Sequence, residues 1–251
     1  MKTILLAAGV GQRLGEHSEN RPKCLLEFDG ISLLRRHITI LVHYGINDIT
    51  IVTGYRADLI NKELENVPST SKIRFIENEK YTKGSLISML KGLENSGNDG
   101  DFLLMDADVL YDHHIIERLL NTRHSNCFLL DKDFVPGDEP VKLCVRDNQL
   151  VEFRKKIADD LSYDYQGESV GFFRFTKSTA DKLIQSANSY LARGEDNQPY
   201  EECIRDLLLE NPECFGFEDI TGLKWLEIDF PEDITRAKNE ILPVISKLKT
   251  Q

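Results

Sequence analysis

No stretch of this chain approaches the roughly 18 consecutive apolar residues that a membrane-spanning helix needs. The short apolar run Ile4 to Ala8 gives way to Gly9, Gly11, Gln12 and Arg13 without a signal-peptide cleavage pattern, so the expectation is a cytoplasmic protein with no membrane partner. Cysteine is sparse and unpaired. Cys24, Cys127, Cys144, Cys203 and Cys214 include no C-x-x-C, and five is an odd number, which fits neither a disulfide framework nor a zinc site. Small buried thiols in a reducing compartment fit better. Basic charge is short as well: 31 Lys and Arg face 42 Asp and Glu, a formal net charge of −11, and that field disfavours a nucleic-acid partner. An anionic substrate must then be held by a local set of donors, and a metal ion is the usual way for carboxylates and phosphates to meet. Internal repeats, linkers and low-complexity segments are also lacking.

What is there is the composition of an ordinary globular domain, 41% hydrophobic and 29% charged over 251 residues, long enough to bury a sizeable core. Lys2 to Ala8 is a continuous apolar run ending at a glycine turn, as a strand buried on both faces reads. A helical stripe over Ser32 to Tyr44 follows, then a strand at Asp48 to Thr53, a helix at Ala57 to Leu64, a strand at Ile73 to Asn78, a helix at Ser85 to Leu93 and a strand at Phe102 to Met105. This alternation predicts an α/β fold: a single domain with a doubly wound, mixed, mostly parallel sheet. After about Asn121 the strands shorten and turn antiparallel in character, at Cys127 to Leu130, Val141 to Arg146, Leu150 to Arg154 and Val170 to Phe175. Helices at Ser178 to Arg193 and Tyr200 to Glu210, a strand at Trp225 to Asp229 and a helix from Glu232 to about Leu248 close the chain.

In such sheets ligands bind beyond the carboxyl ends of the strands, and three segments stand there. The turn Leu6-Ala7-Ala8-Gly9-Val10-Gly11-Gln12-Arg13-Leu14, followed by Arg21-Pro22-Lys23, can bring backbone N–H groups close to phosphates, with Arg13 and Lys23 to neutralise them. It is neither G-x-G-x-x-G nor a P-loop. Asp106 and Asp108 end a strand and suit a hard cation with oxygen ligands, or equally a helix N-terminus. Asp229 ends another strand before Pro231, where the helix dipole would also welcome it.

Together, L-x-A-G-x-G-x-R-L with a following P-K, the D-A-D of Asp106 to Asp108 and the W-x-E-I-D-x-P-E-D ending resemble the nucleoside-triphosphate transferase family, pyrophosphorylases and cytidylyltransferases of glycosyltransferase-A-like fold. The resemblance implies that residues 1–120 bind the nucleotide and 121–251 the acceptor. It implies that Leu6, Ala7, Ala8, Gly9 and Gly11 wrap the nucleotide, Arg13 holds the β and γ phosphates, Lys23 meets the α-phosphate, and Asp108 and Asp229 ligate Mg²⁺ with Asp106 as helper. Many sugar-1-phosphate transferases of the family carry G-T-A-x-A and G-D. Here Lys83-Gly84-Ser85-Leu86-Ile87-Ser88 and Asp106-Ala107-Asp108 stand instead, with Gly84 and Ser85 expected at the nucleotide. These departures resemble the phosphocholine and 2-aminoethylphosphonate cytidylyltransferases, which implies CTP as donor. A cationic acceptor would want carboxylates or an aromatic face, for which Glu168, Tyr200 and Glu201 are candidates, whereas Trp225 reads as core. The run Arg154-Lys155-Lys156 is read as wet surface or as the phosphate end of that pocket. The rival readings are a uridylyl- or thymidylyltransferase acting on a sugar 1-phosphate and a silent nucleotide-binding subunit. The assembly state is left open, a homodimer included.

Overall fold

A computed structural model describes residues 1–18, 21–65, 71–97, 100–246 and 248. Its strands are β1 (Lys2–Ala7), β2 (Glu27–Phe28), β3 (Ile31–Ser32), β4 (Asp48–Thr53), β5 (Lys72–Glu77), β6 (Phe102–Asp106), β7 (Val109–Tyr111), β8 (Asn126–Asp131), β9 (Lys142–Arg146), β10 (Gln149–Arg154), β11 (Tyr165–Ser169), β12 (Phe172–Phe175), β13 (Phe215–Asp219) and β14 (Trp225–Glu227). The helices are α1 (Leu33–His43), α2 (Ala57–Leu64), α3 (Ser85–Asn95), α4 (His114–Asn121), α5 (Lys177–Ala192), α6 (Tyr200–Glu210) and α7 (Pro231–Arg236).

One central sheet runs in the order β10-β9-β11-β8-β12-β6-β1-β4-β5, with β13 beside β8. The pairs β1–β4, β1–β6 and β4–β5 are parallel, whereas β12 runs antiparallel to β6 and opens the second half of the sheet. Strand alternation sends neighbouring side chains to opposite faces. In β1, Leu5 joins Ile51 and Met105 under α1, α2 and α4, while Ile4 joins Val52 and Leu104 under α3, α5 and α6. With helices on both faces, the apolar runs of β1, β4 and β6 are enclosed from both sides, which is the doubly wound α/β fold that the alternation predicts.

Differences from the expected elements have local causes. The strand expected at Val170 to Phe175 begins only at Phe172, behind a separate strand, β11, that ends at Ser169, and β13 pairs parallel to β8 although no strand is expected there. The turn between β9 and β10 is a two-residue one: Asp147 and Asn148 both take positive φ, 51° and 59°, the mirror-image turn that matches strand twist. The last helix stops far short of Leu248. Regular α-helix ends at Arg236 and a wider turn follows at Ala237–Ile241. Pro243 has no N–H and its ring would meet the carbonyl four residues back, so the helix cannot run on. Among the described residues no helix is long and apolar enough to cross a membrane.

His37, on α1, is fully buried, with ring centroids 5.1 Å from Tyr111 and 5.8 Å from Phe172. Burial pushes its pKa down to about 3, so the folded protein keeps it neutral. The unfolded chain binds that proton near pH 6.5, and stability is therefore lost as pH falls from there toward 3, by about 2 kcal/mol at pH 5. Urea unfolding of the wild type and His37→Leu at pH 7 and pH 5 checks this: the stability difference between the two pH values is expected to shrink in the variant.

Candidate active site

The β1 strand delivers the chain into the turn at Gly9, and Leu14, fully buried, anchors its far end, with its N–H donating to the Gly11 carbonyl at 3.1 Å. Gly11 has φ +68°, and a Cβ there would lie 2.8 Å from Cγ of Lys23. The glycine thus allows both the left-handed turn and the passage of the lysine stem. Lys23 itself is fixed by the buried Cys24 and Leu25 that follow it. Between the turn, Lys23, Asp108 and the Tyr81-Thr82 loop opens a cleft of about 330 Å³, with Leu6, Ala7 and Gly9 also in its wall. Ala8 is buried behind them.

The carboxylates arrive by two strand ends. After β6 the chain passes Asp108 into β7, which pairs antiparallel with β14, Glu227 opposite Val109. The Ile228 N–H donates to the Asp108 carbonyl at 3.0 Å. This short ribbon sets Asp108, Glu227 and Asp229 together, with one oxygen of each within 4.8 Å of the others. Lys23 Nζ sits between them, 3.2 Å from Asp108 Oδ2 and hydrogen-bonded to Asp229 Oδ1. Burial alone would lower the lysine pKa. Asp108 and Asp229 outweigh it and hold the ammonium above its ordinary value. Arg13 Nη1 donates to Asp229 Oδ2 and to Glu139 Oε2, both at 2.9 Å, and its guanidinium lies 5.3 Å over the Phe230 ring. Three hard oxygen donors around a site already taken by an ammonium fit a divalent cation with oxygen ligands.

Beside this cleft lies a second, of about 240 Å³, walled by Asp131, Glu168, Trp225, Glu227 and Phe230 among others. Glu168 faces it, and burial first, then Asp131, pushes its pKa up to about 7. The core assignment of Trp225 is corrected in part. Its ring packs on the main core yet walls this cleft, and its Nε1–H donates to Asp131 Oδ2 at 2.7 Å. Tyr200 is buried rather than open to either cleft, and its hydroxyl donates to Asp106 Oδ2 at 2.6 Å. Asp106 is pushed well above the usual carboxylate range by burial and by Asp108 and Glu201 nearby. Glu201 follows Tyr200 on α6 and is likewise raised by burial. Gly84 and Ser85 lie at the start of α3 and clasp the segment before α6: the Leu86 N–H donates to the Gln198 carbonyl at 3.2 Å, and Ser85 Oγ accepts from Tyr200 N–H at 3.0 Å.

Residues 3–161 match the MobA-like NTP transferase domain. The chain belongs to that family. Relatives extend the match over nearly the whole chain. A choline-phosphate cytidylyltransferase of Streptococcus pneumoniae is 37% identical over 96% of this chain and 98% of its own. A CTP:phosphoglutamine cytidylyltransferase of Campylobacter jejuni is 26% identical over 93% and 98%. The inositol-1-phosphate CTP transferase of T. maritima shares the fold at a TM-score of 0.75, with 21% identity over 98% of both chains. The protein is thus an enzyme, a nucleotidyltransferase of the cytidylyltransferase-like kind, whose family acts on an NTP and a phosphorylated acceptor and generally uses a divalent metal.

Several groups of this transferase escape sequence reasoning. Glu227 carries a readable signal, since it stands two residues before Asp229 at a strand end and alternate residues share a face. Glu139 carries none. It stands in a polar loop, and only the folded chain brings it to Arg13. Lys155 Nζ lies 3.2 Å from the same Glu139 oxygen, with 44% of its side chain exposed.

Proposed function

We propose that this transferase moves CMP from CTP to a small phosphorylated or phosphonate alcohol bearing an amine, with Mg²⁺ as the metal, and releases pyrophosphate. The observation that carries the acceptor class is the charge of the second cleft: besides Glu139 and Asp229, which pair with Arg13, Lys155 and Lys23, and Asp233, which pairs with Arg236, its wall offers Asp131, Asp133, Glu168 and Glu227. Such a surface attracts a cationic group, with Trp225 as an aromatic face beside it. A neutral sugar ring would bring hydroxyl donors to these carboxylates but no positive charge. Names of relatives that act on choline phosphate and phosphoglutamine agree with a small phosphorylated acceptor, and their CTP with the donor.

In this reading residues 1–120 hold the nucleotide and 121–251 the acceptor. The Gly9 to Leu14 turn aims backbone N–H groups at the triphosphate, Arg13 takes the β and γ phosphates, and Lys23 leaves its carboxylates for the α-phosphate. Asp108 and Asp229, with Glu227, hold Mg²⁺, which when bound neutralises charge on the phosphates. An acceptor phosphate oxygen attacks the α-phosphorus in line, a new P–O bond forms, and the bond to the bridging oxygen of the β-phosphate breaks, with pyrophosphate as leaving group. Lys23 keeps its proton throughout and stabilises the charge on the α-phosphoryl oxygens, so catalysis is positioning and electrostatics. Tyr200 orients Asp106, and Lys155 faces the acceptor phosphate.

Incubation with each NTP and a panel of phosphorylated acceptors, following pyrophosphate, tests the reading. Turnover is expected with CTP and amine-bearing acceptors; turnover confined to UTP or dTTP with hexose 1-phosphates would overturn it. Glu168 adds a pH signature. Its carboxylate is charged above about pH 7 and neutral below, so the KM for a cationic acceptor is expected to rise as pH falls through 7. Glu168→Gln should raise that KM about fivefold at pH 8 and flatten its dependence on pH, since losing one partly screened ion pair costs on the order of 1 kcal/mol.

A further inference from the structure

One oxygen in the free chain, Oε2 of Glu139, accepts from two cations of opposite halves of the sequence, Arg13 Nη1 at 2.9 Å and Lys155 Nζ at 3.2 Å. Glu139 lies in the loop between β8 and β9 with 58% of its side chain exposed, and it borders the acceptor cleft, while Arg13 borders the nucleotide cleft. The contact therefore sits on the rim where the two clefts meet. Lys155, and then Arg13, hold the Glu139 carboxyl below its usual range, so it is an anion at neutral pH. Arg13 is steadied by the Phe230 ring beneath it, which leaves its choice of anion as the variable.

A carboxylate oxygen shared by a guanidinium and an ammonium does the chemistry that a phosphate oxygen does in the same place. We propose that Glu139 is a displaceable stand-in for a substrate phosphate: it holds Arg13 and Lys155 in place in the free enzyme and yields Arg13 to the triphosphate and Lys155 to the acceptor phosphate. The inference rests on the reading of Arg13 as a phosphate-binding residue. An exposed ion pair of this kind contributes little to stability. A polyphosphate brings more charge and more acceptor oxygens to Arg13, so it wins the exchange, whereas a ligand without phosphate gives Glu139 no reason to leave. Glu139 thereby competes with every phosphate-bearing ligand and with no other.

The test uses the whole protein with Mg²⁺. CTP, inorganic pyrophosphate and cytidine are titrated into the wild type, Glu139→Gln and Glu139→Ala, following the fluorescence of Trp225, the one tryptophan of the chain, with calorimetry alongside. Both variants are expected to bind CTP and pyrophosphate about threefold more tightly than the wild type, the size of one exposed ion pair, with cytidine unchanged and the gain reduced in high salt. Unchanged or weaker pyrophosphate and CTP binding in both variants would overturn the proposal and leave the nucleotide reading standing. An equal gain for cytidine would overturn it too. A wild type that binds no NTP at all would overturn the stand-in and the nucleotide reading together.

Discussion

Asp229→Ala is expected to cut pyrophosphate release about a thousandfold, the scale on which one preorganised charged group at a reacting phosphate acts, while the protein stays folded. Asp229 touches both cations of the cleft at the Gly9 turn, Lys23 and Arg13, and shares a donor cluster with Asp108 and Glu227. Its side chain is 16% exposed at the cleft and fills no core. Its backbone N–H donates to Asp233 Oδ2 at 3.0 Å, which the substitution leaves in place. Loss of one partner for the half-buried Lys23 should lower stability by about 1 kcal/mol, a shift of roughly 2–4 °C in Tm for a chain of this size. Steady-state pyrophosphate release together with a thermal melt checks both parts. Full activity in a folded variant would remove Asp229 from the metal site, and a collapsed melt would make its role structural.

Gly84→Ala should do the opposite, unfolding the protein more than it disables chemistry directly. A Cβ at Gly84 would lie 2.0 Å from the Gln198 carbonyl oxygen and 2.4 Å from the Asn197 carbonyl carbon. Both are backbone, so the overlap can be relieved only by moving the segment that leads into α6. That movement would break the Leu86–Gln198 and Ser85–Tyr200 hydrogen bonds and tilt Tyr200 away from Asp106. A cost of about 3 kcal/mol is expected, or roughly 6–12 °C in Tm. Tyr200→Phe separates the two effects, since it keeps the packing and removes only the hydroxyl on Asp106. It is expected to lower kcat with a much smaller change in Tm. A Gly84→Ala protein that melts with the wild type would show that the clasp is dispensable.

These two positions also mark how far the site can be read from residue order. Arg13, Lys23, Asp108 and Asp229 stand in short motifs at strand ends, and a strand end is legible because an apolar run stops there. Gly84 and Ser85 also stand in a recognisable place, expected at the nucleotide, but the folded chain puts them against residues 196–200, a contact between segments with no common pattern. Tyr200 opens a helix, and its sequence context suits the acceptor pocket as well as it suits the buried position beneath Asp106. Trp225 is both core and cleft wall, because one face of the ring packs and its N–H reaches Asp131. Glu139 is a loop residue among other loop residues.

By itself the sequence determined the α/β alternation, the strands with apolar runs on both faces, the family and the ends of the strands at which chemistry gathers. Each of these depends on local periodicity or on a compact motif. Only the tertiary structure decided which ends meet. Pairing of β7 with β14 sets Asp229 against Asp108 and Lys23. The reach of the β8–β9 loop gives Arg13 and Lys155 a common anion, and the clasp at Gly84 ties α6 to the start of α3. Such contacts follow from strand pairing and from packing between segments distant in the chain, where no single residue's chemistry names its partner. The loop at Glu139 is the extreme case: its charge is plain in the sequence, and its role exists only where the two clefts share a rim.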